Sequence, residues 1–339
     1  MHERRNFLMK LAGLTAGILV PFPMIKGMPG PVRDRLGELL PLRKLGKTGV
    51  AVTMLGLGGY HIGWTTETDA EGTIEAALEG GIRFFDTAEA YGPHISEERY
   101  GKFLTPKYRD VAFLMTKTLA KDAKTAKKHL EGSLKRLKTD FLDLWQAHAI
   151  ASKEDADTRL NEGVFDYLME AKASGKVRHI GFTGHTNAGA HAYLLEKLKK
   201  EGYLETVQMP VNPVDAAHGV SFIKQALPLA VEQEYGILAM KTLAGGQFFA
   251  QKMELEKKLW ETDDPVIPGR ISLTEVLNFV WSLPVSVLIT GASTPGMIRE
   301  KVRLAREHMS LDKKRQQQLI EKVADISRQE KVEYYRNRG

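Results

Sequence analysis

Four side chains of complementary acid–base type stand at or just beyond the ends of short apolar runs: Asp86, Tyr91, Lys117 and His148. Asp86 opens Asp86-Thr87-Ala88-Glu89-Ala90-Tyr91-Gly92, Lys117 closes Leu114-Met115-Thr116-Lys117, and His148 closes Asp143-Leu144-Trp145-Gln146-Ala147-His148. Taken singly, each has an ordinary explanation: an aspartate as a helix cap or turn residue, a lysine as a solvated tip, a histidine as a hydrogen-bonded core residue. Taken together, a carboxylate, a phenol, an ammonium and an imidazole are the types from which a site for proton transfer is made. Whether they meet depends on the elements that carry them.

Those elements alternate. Short β-like runs are expected at Met54–Leu57, Phe84–Asp86, Val111–Thr116, Leu142–Gln146, His179–Phe182, Val207–Met209, Ile237–Met240 and Val287–Ile289. Helical patterns fall between them near 69–80, 96–104, 123–137, 163–174, 188–199, 219–235 and 272–282, with another at 297–308. Eight such alternations favour an α/β fold of the (β/α)8 TIM-barrel kind, with helices outside; a doubly wound open sheet is the alternative. Leu42-Arg43-Lys44-Leu45 and Val50-Ala51-Val52-Thr53 flank Gly46-Lys47-Thr48-Gly49 and read as an N-terminal β-hairpin. The barrel is expected over 42–310, with a linker at 31–41, a large loop at 241–270 and a C-terminal helical tail at 311–339. In a parallel barrel the C-terminal strand ends carry function. Neighbouring strands lie about 4.8 Å apart, so the ends of the second, third and fourth can converge on one pocket.

Other chemistries lack their residues. The chain has no cysteine, which excludes disulfides, thiolate metal sites and a thiol nucleophile. Leu55-Gly56-Leu57-Gly58-Gly59 has the wrong spacing for a dinucleotide-binding glycine fingerprint, and no phosphate-binding loop, zinc-protease or nucleophile-elbow motif occurs. At 43% hydrophobic and 27% charged, the 339 residues are composed as a globular protein. Half of the formal charge of +6 belongs to residues 1–30, so the body shows no basic stripe for nucleic acid. In that first segment Arg4-Arg5 precedes Phe7-Leu8, a modest apolar run from Leu11 to Val20, and Pro21-Phe22-Pro23. It resembles a twin-arginine (Tat) export signal, which implies the Tat translocase as a partner and a periplasmic location, N-terminally anchored if uncleaved. No stretch of the body is long and apolar enough to be a membrane span.

Asp86-Thr87-Ala88-x-x-Tyr91-Gly92, Thr116-Lys117 and the run ending at His148 resemble the catalytic tetrad of the aldo-keto reductase family. The likeness continues through the hairpin, Leu57-Gly58-Gly59, Ile180-Gly181-Phe182-Thr183-Gly184-His185 and Gly291-Ala292-Ser293-Thr294-Pro295, over roughly residues 42–308 in family order. The resemblance implies an oxidoreductase that transfers a hydride from NADP(H), with NAD(H) not excluded, to the carbonyl of a small molecule. Tyr91 would donate the proton and Lys117 would make its hydroxyl more acidic; Asp86 would hold Lys117 charged and His148 would orient the carbonyl. The nucleotide would lie against Gly58, Gly59, Tyr60, Thr183, Gln208, Met240, Lys241, Ala292, Ser293, Glu300 and Lys301. Two departures bear on it. Met240 stands where many members stack an aromatic ring on the nicotinamide. Gly291 and Met297 stand where many place a lysine and an arginine for the 2′-phosphate, so discrimination for NADP is expected to be modest or even to favour NAD, with Lys301 or Arg299 as the candidate substitutes. Two other classes stay open: a barrel lyase or aldolase with Lys117 as Schiff-base amine, and a non-catalytic nucleotide-binding protein that keeps the fold. Trp64, Trp145 and Trp260 are candidates to line an apolar pocket, or core residues.

Overall fold

The computed structural model describes residues 31–246, 248, 252–254, 259–261, 269–328 and 332–337. Eight parallel strands close into a barrel in chain order: β1 (Leu55–Gly58), β2 (Phe84–Asp86), β3 (Phe113–Thr118), β4 (Leu142–Ala147), β5 (Val177–Thr183), β6 (Thr206–Pro210), β7 (Gly236–Met240) and β8 (Val287–Gly291). β8 pairs with β1 to complete the ring, with Gly291 opposite Gly58. Helices α1 (Glu67–Glu79), α2 (Ile95–Phe103), α3 (Ala123–Leu137), α4 (Val164–Ala173), α5 (Ala188–Lys197), α6 (Leu227–Glu232), α7 (Leu273–Trp281) and α8 (Pro295–Arg306) follow the successive strands. The (β/α)8 expectation holds, and the open sheet is excluded by the closing pair. α9 (Lys313–Glu321) lies in the tail.

Local chemistry sets many of the helix starts. Thr66, Asp122 and Asn187 accept from the backbone N–H three residues on, and Ser272 with Glu275 forms a reciprocal cap at α7. Strand pleating sets the sheet. Successive side chains alternate between the barrel interior and the helix layer, so Phe84, Met115, Leu144, Leu238, Val287 and Ile289 fill the interior, while Phe85, Leu114, Trp145 and Ala239 join the larger core outside. The predicted hairpin, Leu42–Lys44 against Ala51–Thr53, closes the barrel floor: Leu45 and Val52 pack into the interior cluster. Arg43 donates from the hairpin to the carbonyls of Val285 and Trp281.

Three expectations change. Residues 31–41, read as a linker, are folded on the body: Arg33–Asp34 pairs with Gly37–Glu38, Asp34 holds Arg83, and Leu40 is buried. Partners more than forty residues away decide this. The 241–270 stretch is not strandless, because Lys252–Glu254 and Leu259–Glu261 pair antiparallel. The helix expected over 219–235 is two short pieces, Phe222–Gln225 and Leu227–Glu232, broken where Pro228 enters. A helix at Lys153–Asn161 was not foreseen; Ser152 accepting from Asp155 N–H is the cap that signals it. The export signal expected over 1–30 lies outside the described residues. Among the described residues no helix is long and apolar enough to cross a membrane.

Candidate active site

The pleat that fills the interior also aims the polar side chains. Asp86 lies two residues beyond Phe84, Lys117 two beyond Met115, Gln146 two beyond Leu144 and His148 two beyond that. All point up the barrel axis. Tyr91 comes from the turn after β2. The structure brings the four together: the Lys117 ammonium pairs with Asp86, donates to the Thr87 carbonyl at 2.8 Å and reaches the Tyr91 hydroxyl at 3.3 Å. The rings of Tyr91 and His148 meet edge to face with centroids 5.8 Å apart, and Tyr60 packs edge to face with Tyr91 at 5.5 Å.

The electrostatics refine the roles. Burial favours the neutral amine at Lys117, but Asp86 and then Tyr91 outweigh it and hold the ammonium above its ordinary range. Burial lifts Asp86, against the pull of Lys117. Tyr91 is also lifted: burial is the largest cause, Lys117 opposes it, and Asp86 adds to it. The expected acidifying effect of Lys117 is thus present but does not prevail in the protein by itself, so Tyr91 carries its proton at neutral pH. His148 is held well below its usual range by burial, then by Lys117, His185, Arg159 and Lys241. It is a neutral imidazole, suited to hydrogen bonding rather than to acid catalysis, and its Nδ1 is buried without a partner among the described residues.

The nucleotide residues divide. Thr183 and Gln208 lie opposite one another on β5 and β6, and Thr183 Oγ1 and Gln208 Oε1 are both buried without a partner among the described residues. Adjacent orphaned polar atoms cost stability unless a ligand completes them, and an acceptor beside a hydroxyl fits the amide of a nicotinamide. Gly58 and Gly59 serve the protein's own packing first. A Cβ at Gly59 would meet Asp86 O and Ser96 Oγ at 2.6 Å, and one at Gly58 would press on Ile289 and the Thr290 carbonyl. Tyr60 is partly exposed at the mouth. Met240 ends β7 half-buried, and Lys241 follows with its Nζ 5.8 Å from the ring centroids of Tyr334 and Tyr335. Ala292 and Ser293 are buried beyond β8, where Ser293 Oγ has no partner among the described residues.

Around Gly291 the departures have a structural counterpart. A Cβ there would fall 2.0 Å from Nδ1 of His61, so a lysine in its place would displace that ring. Met297 packs half-buried on the core. Lys301 is buried and donates to the Gly291 carbonyl at 2.5 Å; burial, opposed by Glu300, pushes it down to about 8. Glu300 itself is exposed. Trp145 is a fully buried core residue, edge-on to Tyr167 at 6.0 Å; Trp64 sits 6.3 Å from Tyr60 near the mouth, and the side chain of Trp260 lies outside the described residues. Sequence reasoning missed the C-terminal segment that borders this end. Arg336 pairs with Asp215 and with Glu333, and Asn212 donates to Glu333 and to Tyr335. No local signal links residues 121 apart.

A closed barrel with this constellation at its C-terminal end defines a class of carbonyl oxidoreductases, and comparison with known proteins agrees. The sequence profile of the aldo/keto reductase family matches residues 54–334. The 6-dehydroglucose reductase of Novosphingobium aromaticivorans is 29% identical over 295 residues, covering 78% of this chain and 92% of that protein. Aldo-keto reductase YhdN of Bacillus subtilis is 32% identical over 238 residues, 64% of this chain and 66% of that protein. In three dimensions the holo form of aldo-keto reductase AKR11C1 from Bacillus halodurans superposes with a TM-score of 0.68 at 22% identity, covering 84% of this chain and 96% of that one. The chain belongs to the aldo-keto reductase family. It is an NAD(P)-dependent oxidoreductase of carbonyl compounds, and neither the lyase nor the non-catalytic reading is favoured.

Proposed function

We propose that this chain reduces an aldehyde or ketone with Tyr91 as proton donor. The observation that carries it is the contact of the Tyr91 hydroxyl with a buried lysine that is itself held charged by Asp86. A dihydronicotinamide, when bound, would supply the hydride. As charge builds on the carbonyl oxygen, Tyr91 releases its proton to that oxygen, and Lys117 stabilises the phenolate left behind. Asp86 keeps the ammonium aimed along the barrel axis. His148, neutral and beside Tyr91, orients the same oxygen by hydrogen bonding. Thr183 and Gln208 would hold the carboxamide, and Met240, Lys241, Ser293 and Lys301 would border the rest of the nucleotide, either NADPH or NADH.

Tyr91→Phe tests this reading, because it removes one oxygen and leaves the ring. Turnover is expected to fall by about 100-fold or more with nucleotide binding retained. Near-wild-type reduction by this variant would sink the assignment. We further propose that the protein is exported through the twin-arginine translocase to the periplasm, on the strength of Arg4-Arg5 and Phe7-Leu8. Export of a folded protein would carry the nucleotide across already bound.

A further inference from the structure

Behind Lys117, on the outer face of β3, two buried carboxylates are arranged in parallel, and the proton-transfer reading above leaves both without a task. Lys117 points inward, so Thr116 and Thr118 on either side of it point outward. Thr116 donates to Glu97 at 2.6 Å, and Arg136 donates to the same carboxylate at 2.7 Å. One step further along the strand, Glu89 accepts from the backbone N–H of Leu119 at 2.9 Å and meets His129 Nδ1 at 2.6 Å, which also lies 2.9 Å from the Thr118 hydroxyl. His129 and Arg136 are seven residues apart and therefore share one face of α3. α3 thus presses one partner on each carboxylate, and both carboxylates hold β3.

Glu89 differs from Glu97 in where it comes from. Glu97 lies on α2, whereas Glu89 lies in the turn after β2, two residues before Tyr91. Its acceptor contact falls on Leu119, two residues past Lys117. Apart from the contact of Lys117 with the Tyr91 hydroxyl itself, the other hydrogen bonds between the turn and β3 among the described residues engage Thr87, at the turn's base: Thr87 N–H donates to Met115 O and Lys117 to the Thr87 carbonyl. From Ala88 onward the turn has left the ladder, and the Glu89 side chain joins it to the chain beyond Lys117. Glu89 is 5% exposed, so its hydrogen bonds are not in competition with solvent. The charged and titratable groups around the pair are Glu97, Arg136, His94 and Lys128; burial, Arg136 and His94 keep His129 below its ordinary range. A neutral imidazole therefore faces Glu89, whose carboxyl burial raises to about 7.

We propose that Glu89, backed by His129, is a positioning residue that fixes the separation of Tyr91 from Lys117. The inference rests on Tyr91 being the proton donor. It acts through that pair alone and touches neither substrate nor nucleotide. Glu89→Ala loosens the turn, lets the phenol move away from the ammonium and makes it a weaker acid. Turnover is expected to fall about tenfold or more, its alkaline limb to move to higher pH, and KM and the nucleotide dissociation constant to stay near wild type. Glu89→Gln, which keeps an acceptor for Leu119 N–H, is expected to recover most of the rate.

A double-mutant cycle separates positioning from general loosening. In a Tyr91→Phe background, Glu89→Ala is expected to cost almost nothing further, since the group it positions is gone. Equal losses in both backgrounds would overturn the proposal, as would wild-type turnover or an unmoved pH profile for Glu89→Ala. If Glu89→Ala does not fold, His129→Asn on the partly exposed face of α3 takes its place in the cycle, with the same expectations and the same refutation. Failure of the underlying reading looks different: Tyr91→Phe would by itself retain turnover.

Discussion

Removing the ammonium beside Tyr91 is the sharpest perturbation the site offers. Lys117→Met keeps the length and apolar stem of the side chain and deletes a charge 3.3 Å from the Tyr91 hydroxyl. With an effective dielectric of about 20, a unit charge at that distance is worth about 5 kcal/mol to a full phenolate. Only part of the phenolate charge has formed in the transition state, so roughly half of this, about 2–3 kcal/mol, reaches the barrier. That is a loss of about 100-fold in turnover. The sign of the pH effect follows from which form is charged. Losing a cation disfavours phenolate, so in the reducing direction the alkaline decline moves to higher pH. In the oxidising direction, where Tyr91 must first be deprotonated, the rise in rate also moves to higher pH. Asp86 complicates the single variant, because it is left buried without its counter-ion. Lys117→Met with Asp86→Asn removes both charges and is expected to restore stability without restoring rate. The assay is turnover against pH in both directions on an established carbonyl substrate, with nucleotide binding followed by fluorescence. Lys117→Met within threefold of wild type, with an unmoved profile, would refute the reasoning.

The nucleotide site gives two further expectations. Gly291 and Met297 supply no cation, and Lys301 is turned onto the Gly291 carbonyl, so NADPH should bind no more than about a thousandfold more tightly than NADH, ~4 kcal/mol; fluorescence titration of both nucleotides checks it, and a larger ratio would point to another basic cluster. Thr183→Val replaces a buried hydroxyl that has no partner among the described residues: nucleotide affinity should drop about tenfold while thermal stability holds or rises, and a loss of stability instead would mean that the hydroxyl serves the fold. For export, changing Arg4 and Arg5 to lysine should retain the chain in the cytoplasm while purified protein keeps its activity. Cell fractionation reads the outcome, and wild-type protein found wholly in the cytoplasm would remove the idea.

The sequence alone was enough for the barrel and for naming the four side chains that the structure brings together, and the reason is periodicity. Strand side chains alternate, so a polar residue two beyond a buried apolar one, as Asp86 is beyond Phe84 and Lys117 beyond Met115, must rise along the barrel axis whatever the rest of the chain does. What local pattern could not carry is anything set by distant neighbours. The net direction of the Tyr91 shift depends on burial by surrounding loops against the pull of Lys117. The glycine at 59 is required by Asp86 O and Ser96 Oγ, and that at 291 by the ring of His61. Residues 31–41 fold because Arg83 and the floor of the barrel are there to receive them, and Arg336 is held by Asp215 across 121 positions. Glu89 lay in plain view inside the Asp86–Gly92 motif. Only the closed barrel, by bringing Leu119 and His129 to its carboxylate, gave that side chain its place.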